Sequence, residues 1–267
     1  MTKLQLTTFE EQIFFNTVLI ERRKNGKSKY GTGFLVAETI SPGRDRILLV
    51  SNKHVFWGKN NTEKEKNITF TLHKEDTGTD GSYNLGNKKE FNIQLTRNDP
   101  NYRESSIEDV AAYDISNYYN GDFKSGMRSL KISDFLSYEY SAVHCGKEVS
   151  FVGYPSGYFD RKNFLPIMRK GTISSIPSVD FNGEKKILID AQVFPGSSGS
   201  PVFVSIDGKY RLLGIITSAL FRDMDSMPRL ILSDEDNGES KDDIMVECLG
   251  IGLVIKKEII QEVYDLF

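Results

Sequence analysis

Apolar residues in this chain recur in short runs, alternating or continuous, and seldom at helical spacing. The pattern predicts strands over Phe14–Arg22, Thr32–Glu38, Arg46–Asn52, Asn67–His73, Glu90–Leu95, Val110–Ile115, Arg128–Ile132, Glu148–Tyr154, Ile167–Ser175, Lys185–Ala191, Pro201–Ser205, Tyr210–Ser218 and Leu249–Ile255. These runs are rich in Val, Ile, Phe and Tyr and are bounded by Gly, Pro, Asn or Asp. Asn182-Gly183 and Asp207-Gly208 carry the dipeptide signature of tight hairpin turns. Only the last segment, Lys256–Phe267, has helical spacing, with Ile259, Ile260, Val263 and Leu266 on one face. It reads as one amphipathic helix laid on the body. Thr8 and Glu11 have the spacing of a capping box and predict a short N-terminal helix.

About a dozen short strands suit a sandwich or a pair of small barrels. The segment Asn117–Lys124, rich in Asn, Gly and Tyr, reads as a connector. It divides the chain into an N-terminal half, 1–120, and a C-terminal half, 121–267. Asp223–Glu247 holds nine acidic residues against Arg229 and Lys241. Such a block reads as a solvated loop, with a docking or regulatory surface as the alternative.

At 267 residues the chain is long enough for a substantial core. Its formal charge of −3 argues against general nucleic-acid binding through phosphate neutralisation. No apolar run approaches the roughly 18 residues of a membrane span. The first residues lack the apolar core of a secretory signal, so the expected compartment is the cytoplasm. Cys145 and Cys248 are too few for a disulfide framework and fit free thiols in a reducing compartment.

Between two predicted strands, the stretch Pro195-Gly196-Ser197-Ser198-Gly199-Ser200 places glycines around a serine pair. Glycine reaches backbone conformations closed to other residues. It could aim the N–H groups of Gly196 and Ser198 at one developing negative oxygen, with Ser198 as nucleophile. A serine hydroxyl needs a base. All three histidines, His54, His73 and His144, precede Ser198, which excludes the α/β-hydrolase order of Ser before His. The order His, Asp, Ser remains, and the subtilisin order fits poorly with a β-rich chain. His54 closes a buried apolar run. Asp109 precedes the strand Val110–Ile115 and could fix the imidazole tautomer. Asp114 is the second choice for the acid. His73 reads as an ordinary strand residue. His144-Cys145 lacks a second ligand pair at zinc spacing. Asn25-Gly26-Lys27-Ser28 ends like a P-loop, but Glu21 stands where its first glycine must be.

With these residues in place, the chain resembles the trypsin-like (chymotrypsin-fold) serine peptidases. It looks closest to the disulfide-poor bacterial branch of the Do-type, HtrA-like proteases. The resemblance rests on Gly31-Thr32-Gly33-Phe34-Leu35-Val36, Ser51-Asn52-Lys53-His54-Val55, Asp109-Val110-Ala111, Val152-Gly153-Tyr154-Pro155, Gly171-Thr172-Ile173-Ser174, the Ser198 loop, Leu213-Gly214-Ile215-Ile216-Thr217 and Gly250-Ile251-Gly252. It spans Thr32 to Ile255. It implies an all-β fold of two six-stranded antiparallel β-barrels with a C-terminal helix. It also implies a triad of His54, Asp109 and Ser198 in the cleft, and peptide or protein substrates. No metal or organic cofactor is expected. By the same resemblance Gln192 lies near the base of the primary side-chain pocket, favouring an uncharged residue before the cut bond. Thr217-Ser218-Ala219 would pair with the substrate backbone.

The chain departs from the family at Lys53, usually Ala, and at Ser200, usually Gly. It also departs at Ser197, where zymogen-type members carry Asp. Activation through a salt bridge to a new N-terminus is therefore not expected. The short stretch after Ile255 leaves no room for a PDZ domain, so none is expected. A latent site ordered by a partner or substrate is one expectation. The rival reading is a catalytically idle barrel pair that binds a protein partner.

Overall fold

The capping box forms as expected: Glu11 N donates to Thr8 Oγ1 at 3.2 Å, and the Glu11 carboxylate accepts from Thr8 N at 3.1 Å. With its first turn fixed, α1 runs from Phe9 to Asn16 and buries Ile13 and Phe15. This overrides the strand expected from Phe14, and β2 (Thr17–Lys24) begins only at Thr17. The computed structural model describes residues 3–24, 27–42, 44–58, 64–75, 82–118, 130–223, 229–232 and 246–267. The connector's residues 119–124 and most of the acidic block lie outside these.

The first sheet joins β1 (Lys3–Leu4), β2, β3 (Lys27–Ser41), β4 (Arg44–Ser51), β5 (Glu65–Glu75), β6 (Tyr83–Thr96), β7 (Tyr102–Glu104) and β8 (Ala111–Asp114). Their order is β1-β6-β5-β2-β3-β4-β8-β7. A further strand, β9 (Leu130–Lys131), pairs parallel to β3. The first sheet thus draws on chain beyond residue 120, where the sequence had suggested a boundary. Among the described residues no ladder closes this sheet into the expected six-stranded barrel. Ile132, expected as the last residue of this strand, instead opens α3 (Ile132–Leu136).

The second sheet contains β10 (Glu148–Gly153), β11 (Ile167–Ile173), β12 (Lys186–Asp190), β13 (Pro201–Ile206), β14 (Lys209–Asp223), β15 (Arg229–Leu232) and β16 (Val246–Lys256). Its order is β13-β10-β11-β12-β16-β14-β15, and an added β13–β14 ladder closes six of these strands into a barrel. Asp207-Gly208 makes the β13–β14 turn with φ of +50° and +72°, as the mirror-image hairpin turn requires. Together with the C-terminal helix, this is a chymotrypsin-like fold.

Each half has its own core. Leu35, Leu49, Trp57, Ile68 and Phe70 lie in the first, and Val149, Phe151, Ile189, Val204 and Ile216 in the second. A third cluster spans the junction. It packs Phe34, Leu48 and Ala112 of the first half with Val152, Phe203 and Ile215 of the second. The closing helix α4 (Lys257–Tyr264) seals this junction with Ile259, Ile260 and Val263. Leu266, expected on the same face, lies past the helix end and is half exposed. A junction made by apolar side chains from both halves holds the two sheets in fixed relation.

Candidate active site

β4 ends at Ser51, and the chain turns at once into a five-residue helix, α2 (Lys53–Trp57), whose Val55, Phe56 and Trp57 are buried. His54 is thereby held at the end of a core strand and is only 4% exposed. The loop before β8 brings up Asp109. Its Oδ2 lies 2.5 Å from His54 Nδ1, and its Oδ1 accepts from His54 N at 3.1 Å. Thr217 Oγ1 donates to the same Oδ2 at 3.1 Å. Burial pushes the Asp109 carboxyl upward. The charge and hydrogen bonds of His54 and the Thr217 hydroxyl outweigh it and leave the group below its ordinary value. Asp109 is therefore a carboxylate aimed at the imidazole. Asp114, the second choice, instead accepts from Ser116 N and Oγ and caps a short turn.

The Asp109 loop is tied to the His54 helix at further points. Asn52 Nδ2 donates to Asp109 O at 2.7 Å, and Lys53 Nζ donates to Ser105 O at 2.8 Å. The Lys53 departure from the resemblance thus has a structural use. The lysine fastens the loop that carries the carboxylate.

The Ser198 loop is two consecutive turns. Ser197 N donates to Phe194 O and Ser200 N to Ser197 O, both at 3.0 Å. Gly196 and Gly199 hold the third positions with φ of +85° and +88°, which side-chain-bearing residues resist. Gly199 is also forced sterically, because a Cβ there would stand 1.7 Å from Thr32 O.

Carbonyls in this loop are pinned from outside, which fixes where its N–H groups point, since N–H and C=O of a trans peptide oppose each other. Pro195 O accepts from Ser156 N and, at 3.3 Å, from Ser156 Oγ. Gly196 O accepts from Thr32 Oγ1 at 2.9 Å, and Ser198 O accepts from Thr32 N at 2.9 Å. Thr32 Oγ1 also accepts from Tyr154 N at 3.0 Å, and Thr32 O accepts from Ser51 Oγ at 2.6 Å. Thr32 is fully buried and belongs to the first half, so one residue of that half holds two carbonyls of the second half's loop. The sequence reading did not single out Thr32 or Ser156. The only local signal was the Gly31-Thr32-Gly33 triplet, which suggests close backbone approach.

Ser198 is buried and its Oγ donates to Thr217 O at 3.0 Å. His54 Nε2 is buried and without a hydrogen-bond partner among the described residues. His54, Asp109, Thr217 and Ser198 thus form one continuous cluster in which the serine hydroxyl faces Thr217 and not the imidazole. Thr217, Ser218 and Ala219 are buried on β14 beside this cluster. Gln192 is exposed, between buried Ala191 and Val193. Cys145 and Cys248 are free thiols. No helix among the described residues is long and apolar enough to cross a membrane.

A family model described as a trypsin-like peptidase domain matches residues 31–215. The fold is similar to an HtrA-type protease, AlgW, solved with a tripeptide, at a TM-score of 0.52 and 16% identity, covering 95% of this chain and 60% of that one. It is also similar to a serine endoprotease from Yersinia pestis, at a TM-score of 0.52 and 16% identity, covering 98% of this chain and 67% of that one. This chain therefore spans about 60% of the length of AlgW. No curated protein matches the sequence.

Proposed function

The chain belongs to the trypsin-like peptidase family, and from that premise we propose that it is a serine endopeptidase acting on peptide bonds of protein substrates. The observation that carries this reading is the short contact between His54 Nδ1 and Asp109 Oδ2, with Ser198 in the same buried cluster. Asp109 holds the imidazole with Nδ1 protonated, leaving Nε2 as the base. In the active arrangement the Ser198 hydroxyl leaves Thr217 O and donates to Nε2. The hydrogen bond to Thr217 O that is given up is a neutral one, of about 1 kcal/mol.

Ser198 then attacks the peptide carbonyl, and His54 takes the serine proton and passes it to the leaving amine. Water activated by His54 releases the acyl-enzyme. The N–H groups of Gly196 and Ser198 hold the tetrahedral oxyanion, their directions fixed by Ser156 on Pro195 O and by Ser200 on Ser197 O. The neutral, exposed Gln192 favours an uncharged residue before the cut bond. The site works without a metal or organic cofactor, in the cytoplasm, and is latent until a substrate or regulatory partner turns Ser198 toward His54.

The hydroxyl's position on Thr217 also favours a second reading, an idle scaffold that binds a partner. Hydrolysis decides between them. Purified chain should cleave an unfolded protein such as casein, and Ser198→Ala should lose several orders of magnitude of that activity. Equal cleavage by Ser198→Ala would exclude Ser198 as the nucleophile.

A further inference from the structure

β14 has two edges, and the edge beside the nucleophile is occupied along its length. The ladder to β13 ends at Pro201↔Ile215. The nucleophile loop continues it, with Gly199 N donating to Ile216 O at 2.9 Å and Ile216 N to Ser200 O at 3.0 Å. Ser198 Oγ then reaches Thr217 O. On the same edge β15 takes over, pairing Ser218↔Leu232, Ala219↔Ile231, Leu220↔Leu230 and Phe221↔Arg229. The opposite edge is taken by β16, through Ser218↔Leu253 and Ala219↔Gly252. β15 is thus the one element that follows Ser198 along this edge among the described residues. It stops opposite Ser218, one position short of Thr217.

An extended peptide that adds to this edge in the register of β15 carries its next residue opposite Thr217 and the following bond to Ser198. We propose that Arg229–Leu232 occupies in cis the strand-addition edge that an extended aliphatic peptide substrate must take. Substrate engagement then exchanges one aliphatic strand for another. The proposal rests on the reading of Ser198 as a nucleophile for peptides, and it supplies the source of latency.

Main-chain hydrogen bonds give strand addition its affinity, and they are equivalent for β15 and for an incoming strand. The displacing peptide must therefore match β15 in strand-forming character, which Leu230-Ile231-Leu232 sets as branched and aliphatic. The apparent affinity for any peptide is its intrinsic affinity reduced by the fraction of chains with the edge open. Competition from β15 protects extended polar segments of other proteins, which pair weakly, and admits β-prone segments that displace it.

The test uses the full chain carrying Ser198→Ala, which holds peptide without turnover, and the probe acetyl-Arg-Leu-Ile-Leu-amide. Hydrogen exchange is followed at residues 229–232. The alternate amides of this strand that donate to β14 should be protected in the free chain and exchange at least tenfold faster with saturating probe, while β16 amides stay unchanged. Proline lacks the N–H that a ladder needs, and adjacent strand residues donate to opposite sides. Leu230→Pro/Ile231→Pro therefore removes a ladder donor in any register, and it should bind the probe at least tenfold more tightly.

No protected amide at 229–232, unchanged protection with probe bound, or no probe binding to either chain would overturn the proposal. If the double variant does not fold, the exchange result on the Ser198→Ala chain stands alone. Wild-type chain that exchanges strands but never cleaves would sink the nucleophile reading and leave the edge exchange standing.

Discussion

Thr32 and Gly196 meet across the junction of the two halves. The Thr32 hydroxyl, on β3, donates at 2.9 Å to the Gly196 carbonyl in the Ser198 loop. The same hydroxyl accepts from Tyr154 N, so one oxygen bridges two loops of the second half. The shape of the loop that carries Ser198 therefore depends on how the halves are joined, not only on the loop itself.

Thr32→Val keeps the shape of the side chain and removes the hydroxyl. It leaves Gly196 O and Tyr154 N buried without this partner. Loss of an oxyanion donor costs on the order of 10²-fold in turnover. Thr32 holds the Gly196–Ser197 peptide, which lies between the two donors, so its release should misalign them and lose about 10-fold or more. The expected signature is a fall in kcat with KM little changed, rescued by Thr32→Ser. A fall in melting temperature with full kcat would show Thr32 to be only structural.

Gly199→Ala should destabilise the fold more than ordinary substitutions do. The new Cβ would stand 1.7 Å from Thr32 O, and φ there is +88°. Strained backbone and a backbone clash together put the cost above about 2 kcal/mol. Urea unfolding measures it. Gly208→Ala is the control, because its φ is also positive, at +72°, but nothing lies within 4 Å of the added Cβ.

Asp109→Asn preserves size but cannot hold the imidazole in the required tautomer. Turnover should fall by about 10⁴-fold, the loss general to such triads. Asp114→Asn, which disturbs only the cap at Ser116, should leave kcat within about twofold. Steady-state kinetics on the pair assigns the acid.

His73 supplies a pH dependence of stability separate from the site. It is 4% exposed, its ring tilted against those of Phe15 and Phe164, and it lies opposite Lys88 on the neighbouring strand. Burial first, and then the Lys88 charge, lower its pKa from 6.5 to about 4. The unfolded chain binds this proton more readily, so the contribution is complete above pH 6.5 and is lost as pH falls toward 4. The shift corresponds to about 3 kcal/mol at most. Melting temperature measured from pH 7 to pH 4 should fall more for the wild type than for His73→Phe.

Much of this architecture is visible in the sequence because strand cores are written in short β-branched and aromatic runs. His54, Asp109 and the Ser198 loop stand at the ends of such runs, where rigid elements position loop residues. What the sequence conceals is nonlocal. Thr32 acts on residues 122 and 164 positions away, and no periodicity encodes that. α2 is five residues long, too short for a helical pattern. The Phe14–Asn16 stretch has strand-like composition, yet the Thr8–Glu11 box starts a helix that runs through it. β15 was masked by the acidic residues on either side of Arg229–Leu232, which made the whole block read as solvated loop.

The central claim is that Ser198 is a nucleophile activated by His54, and a fluorophosphonate probe tests it most directly. Intact-mass and peptide mapping of the full chain should show one phosphonate adduct on Ser198, absent from His54→Ala and strongly slowed in Asp109→Asn. An adduct that forms at equal rate in His54→Ala, or that maps to another residue, would contradict it.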